Sequence, residues 1–186
     1  YLNSIIILKI ISIIIIVSRL HSFGVILHEL THLPIKKKTY KIIILEFLVG
    51  YPVGTTLNAM RYHHLRHHKD NGMHNDPYFH HFENYEKNHN IIKVINIFIG
   101  LILIPSWILR GLIGGWCLFS KNLQIIYAKL FFEHKGEVNK RDLEEISQCC
   151  KEDIKQGIYL IIMFLIFFKT VGLNLIFQLY FIPILI

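Results

Sequence analysis

The stretch IIILKIISIIIIVSRLHSFGVILHELTH, residues 5–32, decides the fold. Its first half is apolar except for Lys9 and Ser12, and polar residues become frequent from Ser18 and Arg19 onward. A hydrocarbon core about 30 Å thick needs roughly 20 helical residues. We therefore expect one helix that crosses a membrane from about Ile5 and continues without a break towards His32. No stretch of small residues follows the apolar run, which argues against a cleaved signal peptide.

The composition of the whole chain points the same way. Of 186 residues, 53% are hydrophobic and only 18% are charged, whereas a soluble domain carries about 25% charged residues. The predicted fold class is all-α, an integral membrane helical bundle with a cytoplasmic cap that carries the histidine motifs. Residues 1–186 are predicted to form a single domain. Because the sequence begins with Tyr1 and ends in an apolar run, we expect it to be truncated at both ends.

Three further apolar segments are interrupted: 42–60 by Gly50, Pro52 and Gly54, 91–119 by Pro105 and Arg110, and 157–186 by Lys169, Thr170 and Gly172. The first suits a shallow interfacial or re-entrant segment. The second predicts one kinked span or a half-buried hairpin, and the third two short spans or a hairpin. We expect Arg110 to snorkel to the headgroups, with a functional role as the alternative. Trp107 and Trp116 are predicted to be interface anchors.

The chain has a net charge of +7, and many of its lysine and arginine residues lie beside the apolar stretches, in segments 36–38, 61–90 and 121–156. Basic loops next to membrane helices favour the cytoplasmic side, so the predicted localisation is multi-pass with these segments in the cytoplasm. Segment 121–156 has helical charge spacing and predicts a solvated amphipathic helix. No nucleic-acid partner is expected, because most of the chain is apolar. The three cysteines form no metal-binding spacing and predict reduced thiols that face cytosol or lipid.

The first histidine motif is HELTH, residues 28–32. Residues i and i+4 share a helix face about 6 Å apart along the axis, so His28 and His32 can reach one metal site. In a soluble enzyme this pattern indicates zinc, with Glu29 as general base. Here the helix that leads into the motif is a predicted membrane span.

The second histidine motif is HHLRHH, residues 63–68. On a helix, His64, His67 and His68 fall within an arc of about 100°, with His63 at its edge. The three rings can therefore converge on one point. Nitrogen ligands without thiolate suit iron, copper or zinc, and the spacing does not choose among them.

The order of these features resembles the membrane fatty-acid desaturase family, together with its carotenoid hydroxylase and ketolase relatives. His28 and His32 match the first histidine box of that family, and His64, His67 and His68 match the second. The string HHKDNGMHNDPYF, residues 67–79, is similar to the second box followed by a short loop and Asp76-Pro77. The resemblance covers roughly residues 5–120 with specific motifs.

The resemblance implies a histidine-bound di-iron centre that uses O2 and removes hydrogen from an unactivated C–H bond of an acyl or isoprenoid chain. It also implies membrane lipid as a partner and an external electron donor of cytochrome b5 or ferredoxin type. The preferred function is an acyl-chain desaturase. A hydroxylase or ketolase is the alternative, since DPYFHH, residues 76–81, resembles a ketolase string.

The chain departs from the family because no third HxxHH box follows the last apolar segment. We attribute this to truncation. The alternatives are local ligands from His74, His80 or His81, and an inactive relative.

Two interpretations are open for several residues next to the histidine motifs. Glu29 orients an imidazole through its other nitrogen or is simply exposed. His63 is expected to support a ligand or to be solvated, rather than to be a ligand. Asp76 is expected to cap the turn before Pro77, or alternatively to hold a ligand histidine.

Two other functions remain possible from the residues alone. A membrane-embedded zinc protease would use HELTH, yet it needs a third ligand and leaves HHLRHH unexplained. A non-enzymatic metal or haem binder, such as a transporter, would place polar residues in mid-span, whereas these histidines cluster at predicted helix ends.

Overall fold

The computed structural model of the chain describes residues 2–35, 37–77 and 109–185, and this part is helical throughout with no strand. The predicted all-α class is confirmed. His80, His81, His89, Trp107 and the predicted segment from 91 to 108 lie outside the described residues. The elements are α1 (Leu2–Thr31), α2 (Tyr40–Leu45, continued by a π turn Glu46–Gly50 and a 3-10 turn Tyr51–Val53), α3 (Leu57–Asp70), α4 (Leu109–Phe119), α5 (Lys121–Phe132), α6 (Lys140–Ile176), a π turn (Phe177–Phe181) and α7 (Ile182–Leu185).

Within the described part of the chain, two helices are long and apolar enough to cross a membrane, Ile6–Thr31 within α1 and Lys140–Phe181 around α6. The bent pair Tyr40–Val53 and Leu57–Asp70 would be a third candidate if it formed one span. The large side chains of the two long helices stay exposed: Leu8 is 63% exposed and Ile14 is 59% exposed. An apolar surface of this extent needs lipid around it. The protein is therefore a membrane protein, as the hydropathy predicted.

The predicted interruption of segment 42–60 is a sharp bend. The helix Tyr40–Val53 and the helix Leu57–Asp70 meet at 77°. Gly54 adopts the left-handed conformation with φ 79°, which a glycine enters without steric cost. The next helix starts at the cap Thr56, whose side chain accepts a hydrogen bond from the backbone N–H of Ala59 at 3.3 Å. Helix α3 is polar from Arg61 onward and lies outside the two candidate spans.

The last apolar segment reverses direction at Gly172, where φ is 79° and ψ is 163°. Tyr159 packs against Tyr51 with ring centroids 5.6 Å apart, and the Tyr180 hydroxyl donates to the carbonyl of Pro52 at 2.7 Å. In a straight helix, residues 159 and 180 would lie about 32 Å apart. Both contact neighbouring residues instead, so the segment is a hairpin, one of the two predicted arrangements.

Two apolar cores hold α3 in place. One joins α3 to α1 and the π turn through Leu27, Val49 and Leu57. The other joins α3 to α5 and α6, and its buried members are Ala59, Tyr62, Cys117, Tyr127, Ala128, Phe132, Ile146, Cys149 and Cys150. The cysteines are free, as expected, but they are buried in this core. The expectation that they face cytosol or lipid was wrong, because Cys149 and Cys150 on α6 and Cys117 on α4 all lie in this core.

Arg110 does not snorkel. Its side chain is fully buried and its Nε lies 3.1 Å from Oδ2 of the fully buried Asp153 on α6. The Tyr127 hydroxyl donates to the same carboxylate oxygen. The prediction that this guanidinium reaches the lipid headgroups was wrong, because the guanidinium pairs with Asp153 inside the protein.

Helices α4 and α6 cross so closely that only glycine fits. A Cβ on Gly157 would lie 2.3 Å from the carbonyl oxygen of Gly111. We expect Gly157→Ala to lower stability by about 1–3 kcal/mol through overpacking, measured as a lower melting temperature in detergent. Gly24→Ala is the control, because nothing lies within 4 Å of its added Cβ. Equal melting temperatures for the two variants would contradict this crossing.

Candidate metal centre

Imidazoles from the two histidine motifs meet at one place. His28 and His32, at the end of α1, and His64, on α3, each offer a ring nitrogen, and these three atoms lie within 4.8 Å of one another. The Nε2 atoms of His32 and His64 are 3.1 Å apart. The ring centroids of His28 and His64 are 4.1 Å apart. Two motifs separated by more than 30 residues therefore form a single cluster.

His68 extends this cluster from the next turn of α3. Its Nε2 lies 2.8 Å from Nε2 of His64, and its ring centroid lies 5.1 Å from that of His32. Residues i and i+4 share a helix face, which is why His64 and His68 point the same way. We call His28, His32, His64 and His68 the imidazole cluster.

The ring of His67 lies beside the imidazole cluster and contacts Asp76. Its Nδ1 lies 2.9 Å from Oδ1 of Asp76. The other carboxylate oxygen of Asp76 accepts a hydrogen bond from the backbone N–H of Gly72 at 3.0 Å. Asp76 is fully buried, and it both caps the turn before Pro77 and contacts the ring of His67. The role of His67 as a ligand stays a prediction.

Glu29 and His63 differ in their surroundings. Glu29 Oε1 lies 3.3 Å from Nδ1 of His28, but the Glu29 side chain is 71% exposed. This contact is one that an exposed carboxylate can make without orienting the ring firmly. His63 is buried at 7% exposure on α3 and lies outside the close three-residue set of the described residues.

A buried carboxylate that the sequence analysis did not single out positions the N-terminus of α3. Glu46, 1% exposed, accepts a hydrogen bond from the backbone N–H of Leu57 at 2.6 Å. Lys38 donates to both oxygens of Glu46, at 2.9 and 2.7 Å, and lies 3.3 Å from Glu152 on α6. A negative charge at a helix N-terminus is stabilising. A lone carboxylate inside an apolar segment is the signal that points to Glu46.

The far side of α3 is fastened to α6 by Arg66. Its guanidinium stacks 3.4 Å above the Tyr62 ring, pairs with Asp142 and lies 3.2 Å from Glu145. The Tyr62 hydroxyl lies 3.0 Å from Nδ1 of His134. Burial lowers the pKa of His134. These contacts fix the rotation of α3 and thereby the direction in which His64 and His68 point.

The electrostatics of the imidazole cluster favour a neutral ring at His64. Burial, followed by the neighbouring imidazoles of His28 and His68, lowers the pKa of His64 to about 4. At neutral pH this ring is therefore uncharged, which is the form that binds metal ions.

The donor set fits a transition metal. Imidazole nitrogens bind such ions at about 2.0–2.1 Å, so neighbouring nitrogens on one ion lie about 3 Å apart. The Nε2 atoms of His32, His64 and His68 already have this spacing, at 3.1 and 2.8 Å. Without thiolates, the set suits iron, copper or zinc.

Asp76 is expected to tune metal binding through His67. We expect Asp76→Asn to weaken metal affinity by about 10–100-fold, the usual effect of removing a carboxylate that orients a ligand imidazole. Competition of the purified protein with a chelator, followed by metal analysis, measures this. Glu29→Gln is the matched control and should retain its metal, because Glu29 is exposed. Similar losses of metal affinity in the two variants would show that the buried contact between Asp76 and His67 has no particular effect on metal binding.

Comparison with known proteins agrees with this geometry. A model of the fatty acid desaturase family, described as "Fatty acid desaturase", matches residues 5–186. The searches among curated proteins and among solved structures gave no significant match. The family match covers both histidine motifs, both candidate spans and the hairpin, and the family implies an oxidoreductase of the desaturase or hydroxylase type. The chain belongs to the fatty acid desaturase family.

Proposed function

We propose that the protein is an O2-dependent di-iron desaturase that introduces a double bond into acyl chains of lipids or thioesters. The observation that carries the proposal is the convergence of His28, His32 and His64 within 4.8 Å at the end of a membrane helix. In the zinc protease alternative His64 could serve as the third ligand, but His68 has no role, and the family match favours oxidative chemistry.

Iron is the metal that this reaction requires. His28, His32, His64 and His68 would hold it, with His67 oriented by Asp76 as a further candidate, and these imidazoles would be part of the ligand set of two irons. Bound iron would supply the oxidising power needed to remove hydrogen from an unactivated methylene, which no side-chain base can deprotonate. The residues of this chain would hold and orient the metal.

An apolar cavity supports a lipid-chain substrate. It has a volume of about 540 Å³ and lies between α1 and the two arms of the hairpin, with Leu20, Phe164 and Leu179 among its walls. Leu20 precedes His28 by eight residues, which is about 12 Å along a helix. A flexible hydrocarbon chain is the kind of molecule that such walls accept.

The basic segments support a proposal for the orientation of the protein in the membrane and for the side from which electrons arrive. We propose a multi-pass protein whose metal centre faces the cytoplasm, because residues 36–38 and 61–69 are rich in lysine, arginine and histidine. An external donor of the cytochrome b5 or ferredoxin type would then deliver electrons from that side.

Metal analysis and product analysis test the proposal together. The protein purified in detergent from iron-supplied cells should contain iron as its dominant metal, close to two per chain. Zinc as the dominant metal would overturn it. Mass spectrometry of lipids and pigments from expressing cells should show new double bonds in acyl chains. Added oxygen in lipids or pigments would instead assign the hydroxylase or ketolase alternative, which begins with the same hydrogen removal.

A further inference from the structure

A strip of exposed apolar side chains runs along α4 and α5, outside the imidazole cluster and the two candidate spans. Trp116 is 69% exposed, Phe119 82%, Leu123 41%, Ile126 58% and Leu130 69%. We call these five residues the α5 strip. Exposed apolar residues that form a continuous patch mark a surface that binds another apolar surface.

The pattern of α5 separates three faces. Tyr127, Ala128 and Phe132 are buried against α3 and α6. Leu123, Ile126 and Leu130 recur at i, i+3 and i+7, within an arc of about 60°, and are exposed. Asn122 and Lys129 are exposed beside them. One face of α5 therefore packs on the protein, a second is apolar and exposed, and a third is polar and exposed. This arrangement is typical of a helix that lies in a membrane interface.

The α5 strip continues the lipid-facing surface of α6. A Cβ on Gly115 would lie 2.7 Å from the side chain of Ile154, so Trp116 follows a residue in contact with α6. Ile154 and Ile158 are 39% and 54% exposed and begin the apolar run of the candidate span. The membrane that surrounds this run therefore also reaches the α5 strip. Lys129, which is exposed at its edge, suits the phosphates of lipid headgroups.

We propose that α5 lies flat in the headgroup region of the bilayer, with the α5 strip inserted among the upper acyl carbons and Trp116 as its anchor. The occupant of this surface is the lipid itself. The buried face of α5 packs on α3, with the Tyr62 and Phe132 ring centroids 4.9 Å apart. The lipid-bound helix thereby holds the histidine helix at a fixed height above the hydrocarbon core.

Fluorescence of Trp116 tests the proposal. The sequence has two tryptophans, so Trp107→Phe leaves Trp116 as the only one. This variant is placed, one protein per disc, in phosphatidylcholine nanodiscs with bromine atoms near the headgroups or near the chain ends. We expect blue-shifted emission, strong quenching by the shallow bromines and weaker quenching by the deep ones. Emission that resists both bromines but is quenched by aqueous acrylamide would overturn the proposal.

Trp116 emission that resists the bromines and acrylamide alike would also overturn the proposal, because it would show that another part of this chain covers the strip. A second copy is excluded as an occupant by the one-protein discs. Charge substitutions add an independent readout. Ile126→Glu on the strip is expected to reduce shallow-bromine quenching, whereas Asn122→Glu on the neighbouring polar face is expected to leave it unchanged. Equal quenching in both variants would contradict an inserted strip.

Discussion

Replacing His64 with alanine is expected to abolish both tight metal binding and product formation. His64 is the centre of the imidazole cluster, with Nε2 contacts of 3.1 Å to His32 and 2.8 Å to His68. Removing this ring takes away both of these contacts. The described imidazoles of α1 and α3 are then linked through the ring contact of His32 with His68, whose centroids are 5.1 Å apart, and one metal-binding nitrogen is lost from the centre of the cluster. Metal per chain and double-bond formation in expressing cells are the two measurements.

The control for this variant is His21→Ala, the same substitution at an exposed position of α1. It should keep both its metal and its products. Membrane insertion of His64→Ala is checked by its resistance to extraction with carbonate, since the candidate spans do not contain His64. Normal metal content and products from inserted His64→Ala would remove this histidine from the ligand set.

Replacing Asp153 with alanine is expected to destabilise the protein by about 3–5 kcal/mol, because it leaves a buried guanidinium without its charged partner. Arg110 and Asp153 are both fully buried, and Tyr127 shares the carboxylate. The same substitution also loosens the core under α3, because Tyr127 and Phe132 contact each other there, with ring centroids 5.3 Å apart. The melting temperature in detergent should fall strongly.

Two further variants separate charge burial from general damage. Arg110→Met combined with Asp153→Leu removes both charges, and such apolar replacements of buried pairs are often neutral or stabilising. We therefore expect the double variant to recover much of the lost stability. Arg141→Ala breaks an exposed pair, in which the Arg141 side chain is 87% exposed, and should cost no more than about 0.5 kcal/mol. A double variant as unstable as Asp153→Ala would contradict this explanation.

The parts of the fold that depend on local sequence were predictable. The apolar run after Ile5 predicts α1, because lipid selects length and hydropathy. Gly54 and Gly172 mark the bend and the hairpin, because only glycine takes a positive φ without cost. The spacing of His28 with His32, and of His64 with His68, predicts shared faces on ideal helices.

The parts that depend on tertiary contacts were not predictable from one sequence. Arg110 and Asp153 are 43 residues apart, so nothing local indicates that they pair, and snorkelling was the better expectation. His67 falls within the predicted arc, and its ring nitrogen Nδ1 contacts Asp76 in the turn that follows α3. The helix spacing alone does not predict this contact. Glu46 was overlooked because its partner, the N-terminus of α3, exists only after the bend has formed.

The unbroken course of α1 links the reacting centre to the dimensions of the bilayer. Its apolar part, Ile6–Thr31, has 26 residues, a length of about 39 Å against a hydrocarbon core of about 30 Å. Such excess length is relieved by tilting, and a 10° change in tilt would swing the far end by about 7 Å. His28 and His32 lie at that end. His64 and His68 lie on α3, which packs on α1 through the core of Leu27, Val49 and Leu57 and on α5 and α6 through the other core. A change in lipid chain length is therefore expected to act on the packing between α1 and α3, and through it on the spacing of the imidazole cluster.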